Sequence, residues 1–229
     1  MTPRTRSVGG GLMMLTIIPV IIGLMACMEV PIGNPERSRI DPELSGLWTL
    51  QDSEGDMSGI VLLEPYDKRT WLGIMVEPYL DASRASADAE IDTYEGLVAA
   101  SKDPSSGLSA VSADQVGLYK IWLTKLGGAL FMVWQPKGVY DEGEFGAEYA
   151  LNWRITKHSE SSFDLDMIDL NHPAFEGVDE SDRKALERVI RKHASDSELY
   201  DEEGYAFKRV DPEHAALLGG LIYSLMAGE

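Results

Sequence analysis

Gly46–Pro65 reads GLWTLQDSEGDMSGIVLLEP. Two apolar runs rich in Trp, Val, Ile and Leu flank Asp52–Asp56, a cluster of turn formers. That pattern predicts two antiparallel strands joined by a hairpin. The same grammar repeats outward along the chain. RTWLGIMVEP follows after a turn at Tyr66-Asp67-Lys68, and YLDASRASADAEID, polar and small, reads as a loop or one short helix. TYEGLVAAS, GLYKIWLTKL, GALFMVWQP, AEYALNWRITK and SSFDLDMIDL come next. DPSSG, Gly127-Gly128, GVYDEGEFG and HSES separate them. Apolar residues alternate at Tyr149, Leu151, Trp153 and Ile155 against Asn152, Arg154 and Thr156, and again at Phe163, Leu165 and Met167. A period of two marks strands with one buried face. About eight strands in sequence order predict a mainly β, antiparallel up-and-down barrel, whose closure removes exposed edges. With no helix of convincing length between strands, a parallel βαβ sheet is excluded.

The last third changes period. Asp179–His193 carries Ala185, Leu186, Val189 and Ile190 on one stripe, which predicts an amphipathic helix. YAFKRV is a late short strand, and Asp211-Pro212 has the form of an N-cap followed by proline at the first helical position. HAALLGGLIYSLMAGE then aligns Leu217, Leu218, Leu221, Ile222 and Leu225 on one apolar face, too short to cross a bilayer. One or two C-terminal helices are thus expected to pack outside the barrel. Gly219-Gly220 inside the second one implies either close approach of another backbone or a break.

The N-terminus reads as an address. Arg4 and Arg6 precede the uncharged apolar run Gly11–Ala26, of signal-peptide length. Leu24-Met25-Ala26-Cys27 resembles the bacterial lipobox, with Met25 departing from the small or β-branched residue usual there. The resemblance implies a bacterial lipoprotein: removal of residues 1–26, diacylglyceryl on the Cys27 sulfur and acylation of its new amine. Two or three chains anchor a protein stably where one does not. Met28 stands where proteobacterial sorting uses Asp to retain lipoproteins in the inner membrane. The chain is therefore expected at the outer membrane, facing the periplasm. Residues 27–41, holding Pro31, Gly33, Asn34 and Pro35, read as a flexible tether of about 20 Å reach, and 42–229 as one barrel domain with its C-terminal helices. Cys27 is the one cysteine, so no intrachain disulfide forms.

Gly46-x-Trp48 is similar to the G-x-W motif on the first strand of lipocalins. The resemblance implies an eight-stranded barrel whose tryptophan plugs the closed end and whose late arginine lies across the ring. Arg209 is the partner it implies, with Arg154 as rival; the family's Thr-Asp-Tyr element is missing.

Little catalytic chemistry is legible. His158, His172, His193 and His214 form no metal-binding pair at helical spacing; His172, before Pro173, is the most site-like. No nucleophile elbow or phosphate-binding loop is present. The acidic groups Asp52/Glu54/Asp56 and Asp164/Asp166/Asp169 do not fit an EF-hand, and read as a solvated turn and a strand's polar face. The net charge of −18 argues against nucleic acid and anionic headgroups as partners. The aromatic surplus points inward, with Trp71, Trp122, Trp134 and Trp153 as candidate pocket lining. Together these residues predict a non-enzymatic envelope protein, without metal or cofactor, binding or shuttling a small hydrophobic ligand. Two alternatives stay open: an interaction module docking an envelope protein through Leu217–Leu225, and an acidic inhibitor of a basic envelope enzyme.

Overall fold

The computed structural model describes residues 27–28, 30–76, 94–102, 116–136, 149–201 and 204–227. Nine strands form one sheet: β1 Cys27–Met28, β2 Gly46–Gln51, β3 Met57–Pro65, β4 Trp71–Val76, β5 Val116–Leu126, β6 Ala129–Pro136, β7 Ala150–Ser159, β8 Ser162–Met167 and β9 Tyr205–Arg209. Strands β2 to β9 each pair antiparallel with their sequence neighbours, and β9 returns to β2, with Trp48 opposite Arg209 and Gln51 opposite Ala206. The result is a closed eight-stranded up-and-down barrel. Strand β1 pairs Cys27 with Leu151 and Met28 with Ala150, just past the Trp153–Met167 pair where β8 leaves off.

Side-chain alternation sorts the core into three clusters. Every barrel strand sends residues into the interior, among them Trp48, Val61, Trp71, Ile121, Met132, Trp153, Phe163 and Phe207. The opposite faces are apolar too, and are covered from outside. Ile60, Leu62, Ile74 and Val76 lie under α1 (Tyr94–Lys102) and α3 (Pro212–Ala227). Trp122, Phe131 and Val133 lie under α2 (Arg183–His193) and the N-terminal segment.

The barrel has two unlike ends. At one, tight connections at Tyr66–Thr70, Gly127-Gly128 and Glu160-Ser161 meet the chain's entry at Ser45. At the other, the long connections 77–115, 137–149 and 168–204 begin and end.

Three expectations need correction. TYEGLVAAS is not a strand: it contains α1. Tyr94, Leu97, Val98 and Ser101 have helical spacing, Leu97 and Val98 are buried, and Glu95 and Lys102 suit the two ends of the macrodipole. The strand that closes the barrel is instead Tyr205–Arg209, the late YAFKRV segment. The second correction concerns residues 27–41. They are packed against the barrel, with Met28 and Ile32 fully buried, Ile32 N–H donating to Asn152 Oδ1 at 3.2 Å and Leu123 N–H donating to Ser38 Oγ at 3.0 Å. Two buried apolar side chains outweigh the coil tendency of Pro and Gly.

The third correction concerns α3, which runs unbroken through Gly219-Gly220; among the described residues nothing lies within 4 Å of a Cβ added at either, so none of them makes a close approach. Helix α2 starts at Arg183, where Asp182 accepts from the N–H groups of Lys184 and Ala185. Among the described residues no helix is long and apolar enough to cross a membrane. The expected signal segment 1–26, the 79–92 stretch and the DPSSG and GVYDEGEFG loops lie outside the described residues.

Candidate functional site

At the tight end, Trp48 is 1% exposed and donates from Nε1 to Leu44 O at 2.9 Å. Its ring meets Phe163 edge-on at 4.8 Å, and Arg209 Cζ lies 4.1 Å from its centroid. The Arg209 guanidinium donates to three carbonyls: Ser45 O at 2.9 Å, Glu160 O at 3.1 Å and Glu43 O. Gly46 has φ +125°, and a Cβ there would sit 2.7 Å from Arg209 Nη1. Gly46, Trp48 and Arg209 thus form one closure, with Gly46 bare so that the arginine can reach over it. The rival Arg154 lies outside, 3.7 Å over the Tyr200 ring and 2.8 Å from Asp166. Burial pushes the Tyr200 phenol upward, against the pull of Arg154.

The four tryptophans predicted to line a pocket do not share one space. Trp71 fills the interior near the closure, its Nε1 donating to Ser45 Oγ at 3.0 Å. Trp122 belongs to the outer cluster and donates to Ile32 O at 3.1 Å. Strand alternation is the reason: Ile121 points in, so Trp122 points out. Trp122 is therefore removed from the pocket set.

Trp134 and Trp153 remain, both inside and toward the end of the long connections. Because Trp134 pairs with Leu151 and Trp153 with Met132, the two are diagonal neighbours, roughly 7–8 Å apart across the sheet. Tyr119 packs edge-on against Trp134 at 5.2 Å, and Tyr205 against Trp153 at 5.7 Å. Half-buried Met75, Leu151 and Met167 complete this zone of the interior. Trp134 is 4% exposed and Trp153 5%, yet neither Nε1–H has a partner among the described residues. A buried donor left unpaired costs about 1–3 kcal/mol, so two together are uncommon in a settled core. An oxygen acceptor on an otherwise apolar molecule would satisfy them. Tyr119 and Tyr205 were not singled out from sequence; their places on the inward faces of β5 and β9 are the signal that finds them.

The other candidates resolve into local pairs. His172, Asp196 and Glu198 have ligand atoms within 4.8 Å of one another. His172 Nδ1, however, accepts the Ala174 N–H at 3.2 Å, which leaves the ring proton on Nε2, facing Asp196 at 3.8 Å. So arranged, His172 is a donor and a turn cap, not a metal ligand. Asp52 caps its own turn by accepting from Glu54 and Asp56 N–H, while Asp164 meets His158 and Asp166 meets Arg154.

No protein-family model matches the chain, and no curated protein matches it. Among solved structures it is similar to a redesigned β-barrel at 12% identity and TM-score 0.33, over 76% of this chain and 98% of the other.

Proposed function

We propose that this is a lipid-anchored, non-enzymatic protein of the bacterial cell envelope whose barrel holds a small hydrophobic ligand toward the end of its long connections. The observation that carries the ligand is the pair of buried indole N–H groups of Trp134 and Trp153, neither of which has a partner among the described residues. They favour a molecule that is mostly apolar and bears a carbonyl, carboxylate or ether oxygen. The anchor rests on the apolar run and LMAC at Leu24–Cys27. Cys27 opens the segment that packs on the barrel wall, so the acyl chains would leave directly from the folded domain.

Native mass spectrometry of the protein extracted in mild detergent tests both halves. The expected chain mass is that of residues 27–229 plus acyl groups, with an added small mass lost on denaturation. Replacing both tryptophans by phenylalanine keeps the rings and deletes the donors, and should reduce ligand retention tenfold or more. Extracted protein with no bound small molecule, or retention untouched in the double variant, sinks the ligand reading.

A second reading, docking to an envelope protein, is favoured by Leu217 on α3, which is 37% exposed while Leu218 and Ile222 are buried and Tyr223 donates its hydroxyl to Glu64. A photo-crosslinker at Leu217 in cells should then capture one defined partner.

A further inference from the structure

A groove of about 590 Å³ lies at the tight end of the barrel between the N-terminal segment, the β5–β6 hairpin and α2. Arg37 and Arg39 line it from the first, Lys125 from the second, Arg183 and Arg191 from the third, with Glu187 as the one carboxylate. Glu187 is already engaged: it accepts the Gly33 N–H at 2.9 Å and lies 3.9 and 3.8 Å from Arg183 and Arg191. Arg183 in turn donates to Gly33 O at 3.2 Å. This lattice pins the N-terminal segment to α2 and fixes the groove's two walls. Gly33 can sit there only as glycine, with φ +74° and Thr124 2.5 Å from where a Cβ would stand. Arg37, Arg39 and Lys125 are exposed and have no ion-pair partner among the described residues. A smaller groove beside Pro35 is lined by Lys68, Arg69 and Lys120 together with Glu36 and Asp67, and Arg69 lies 3.3 Å from Glu36. Five of the chain's 20 lysines and arginines thus line one groove, although its net charge is −18.

We propose that the groove binds the phosphate of an anionic phospholipid headgroup, seating the barrel on the membrane by its N-terminal wall. Guanidinium forks match phosphate oxygens in pairs, and three arms from separate elements around one cleft suit a single tetrahedral anion. The segment that lines the groove begins at Cys27, which pairs beside Leu151 toward the end of the long connections, while Lys125 and Leu130 hold the groove at the tight end. The choice of a membrane as the source of phosphate rests on the anchored reading; the phosphate chemistry does not.

The test uses native protein in a non-ionic detergent, titrated with phosphatidylglycerol, phosphatidylcholine or sn-glycerol 3-phosphate and read by native mass spectrometry. Wild type should retain phosphatidylglycerol over phosphatidylcholine. The variant Arg37→Gln/Arg39→Gln/Lys125→Gln, changed only at exposed positions, should lose that preference by about tenfold or more. Equal retention of the two lipids, or a preference that survives in the triple variant, overturns the proposal. Retention of glycerol phosphate as strong as that of the lipid overturns the membrane source and leaves a site for free organic phosphate. The chain's own mass in the same spectra reports acylation, so loss of the anchored reading and loss of the groove are seen separately.

Discussion

Replacing Arg209 by lysine keeps the charge and removes the fork. In the wild type, three carbonyl acceptors, Ser45, Glu160 and Glu43, converge on one guanidinium that also covers the Trp48 ring at 4.1 Å. A lysine ammonium at the same place reaches one of those carbonyls well, so two hydrogen bonds are lost at about 1 kcal/mol each. The ring contact loses roughly another 0.5–1 kcal/mol. The expected cost is about 2–3 kcal/mol, and with roughly 2–4 °C per kcal/mol for a chain of this size, Tm should fall by about 5–10 °C. Gly46→Ala should cost a similar amount, from its φ of +125° and from the Cβ that would lie 2.7 Å from Arg209 Nη1. Gly46→Ala and Arg209→Ala are coupled: with Arg209→Ala in place the clash is gone, so the double variant should be less destabilised than those two singles added together. Urea unfolding of Gly46→Ala, Arg209→Ala, their double variant and Arg209→Lys measures this directly. Additive single costs, or an Arg209→Lys variant within about 0.5 kcal/mol of wild type, would refute the account of the G-x-W motif as a closure built around the arginine.

Ile32→Ala should destabilise the barrel by about 2–5 kcal/mol, because a fully buried side chain against Trp122 leaves a cavity when truncated; a loosely tethered segment would give almost no change in the denaturation midpoint. Gly219→Ala and Gly220→Ala should each stabilise α3 by up to about 1 kcal/mol, since an added methyl meets nothing within 4 Å; a fall in Tm for either would mean that another surface needs that space.

The strand grammar was legible because a period of two survives wherever one face is polar, as at Asn152, Arg154 and Thr156 on β7. It weakens where both faces are buried. On β5 and β6 every inward residue has an apolar neighbour pointing out, and composition does not say that Ile121 faces the interior while Trp122 faces α2. Residues 94–102 failed for a related reason. The adjacent Leu97 and Val98 suit a buried strand as well as one helical face, and only their seat under α3 decides. The closure was half legible. Gly46 and Trp48 lie two residues apart, but Arg209 is distant in sequence and is fixed by barrel closure, which no local pattern encodes. The unpaired indoles were not legible at all, because Trp71 and Trp122 have the same chemistry and find partners in Ser45 and Ile32.

Net charge says nothing about where the charges sit. A total of −18 argues against anionic surfaces as main partners, yet a sum is silent about distribution. The cations that line the groove come from residues 37–39, from Lys125 and from Arg183 and Arg191, segments far apart in sequence. They meet because Met28 and Ile32 bury themselves under α2 and draw the N-terminal segment across the wall. Screening at physiological ionic strength leaves a reach of about 8 Å, so a headgroup in the groove would respond to these neighbours far more than to acidic residues on the opposite side. The packing that abolishes the tether is therefore the same packing that builds the basic wall. Truncating Ile32 should loosen both, costing stability and, on the reading given above, the preference for anionic lipid.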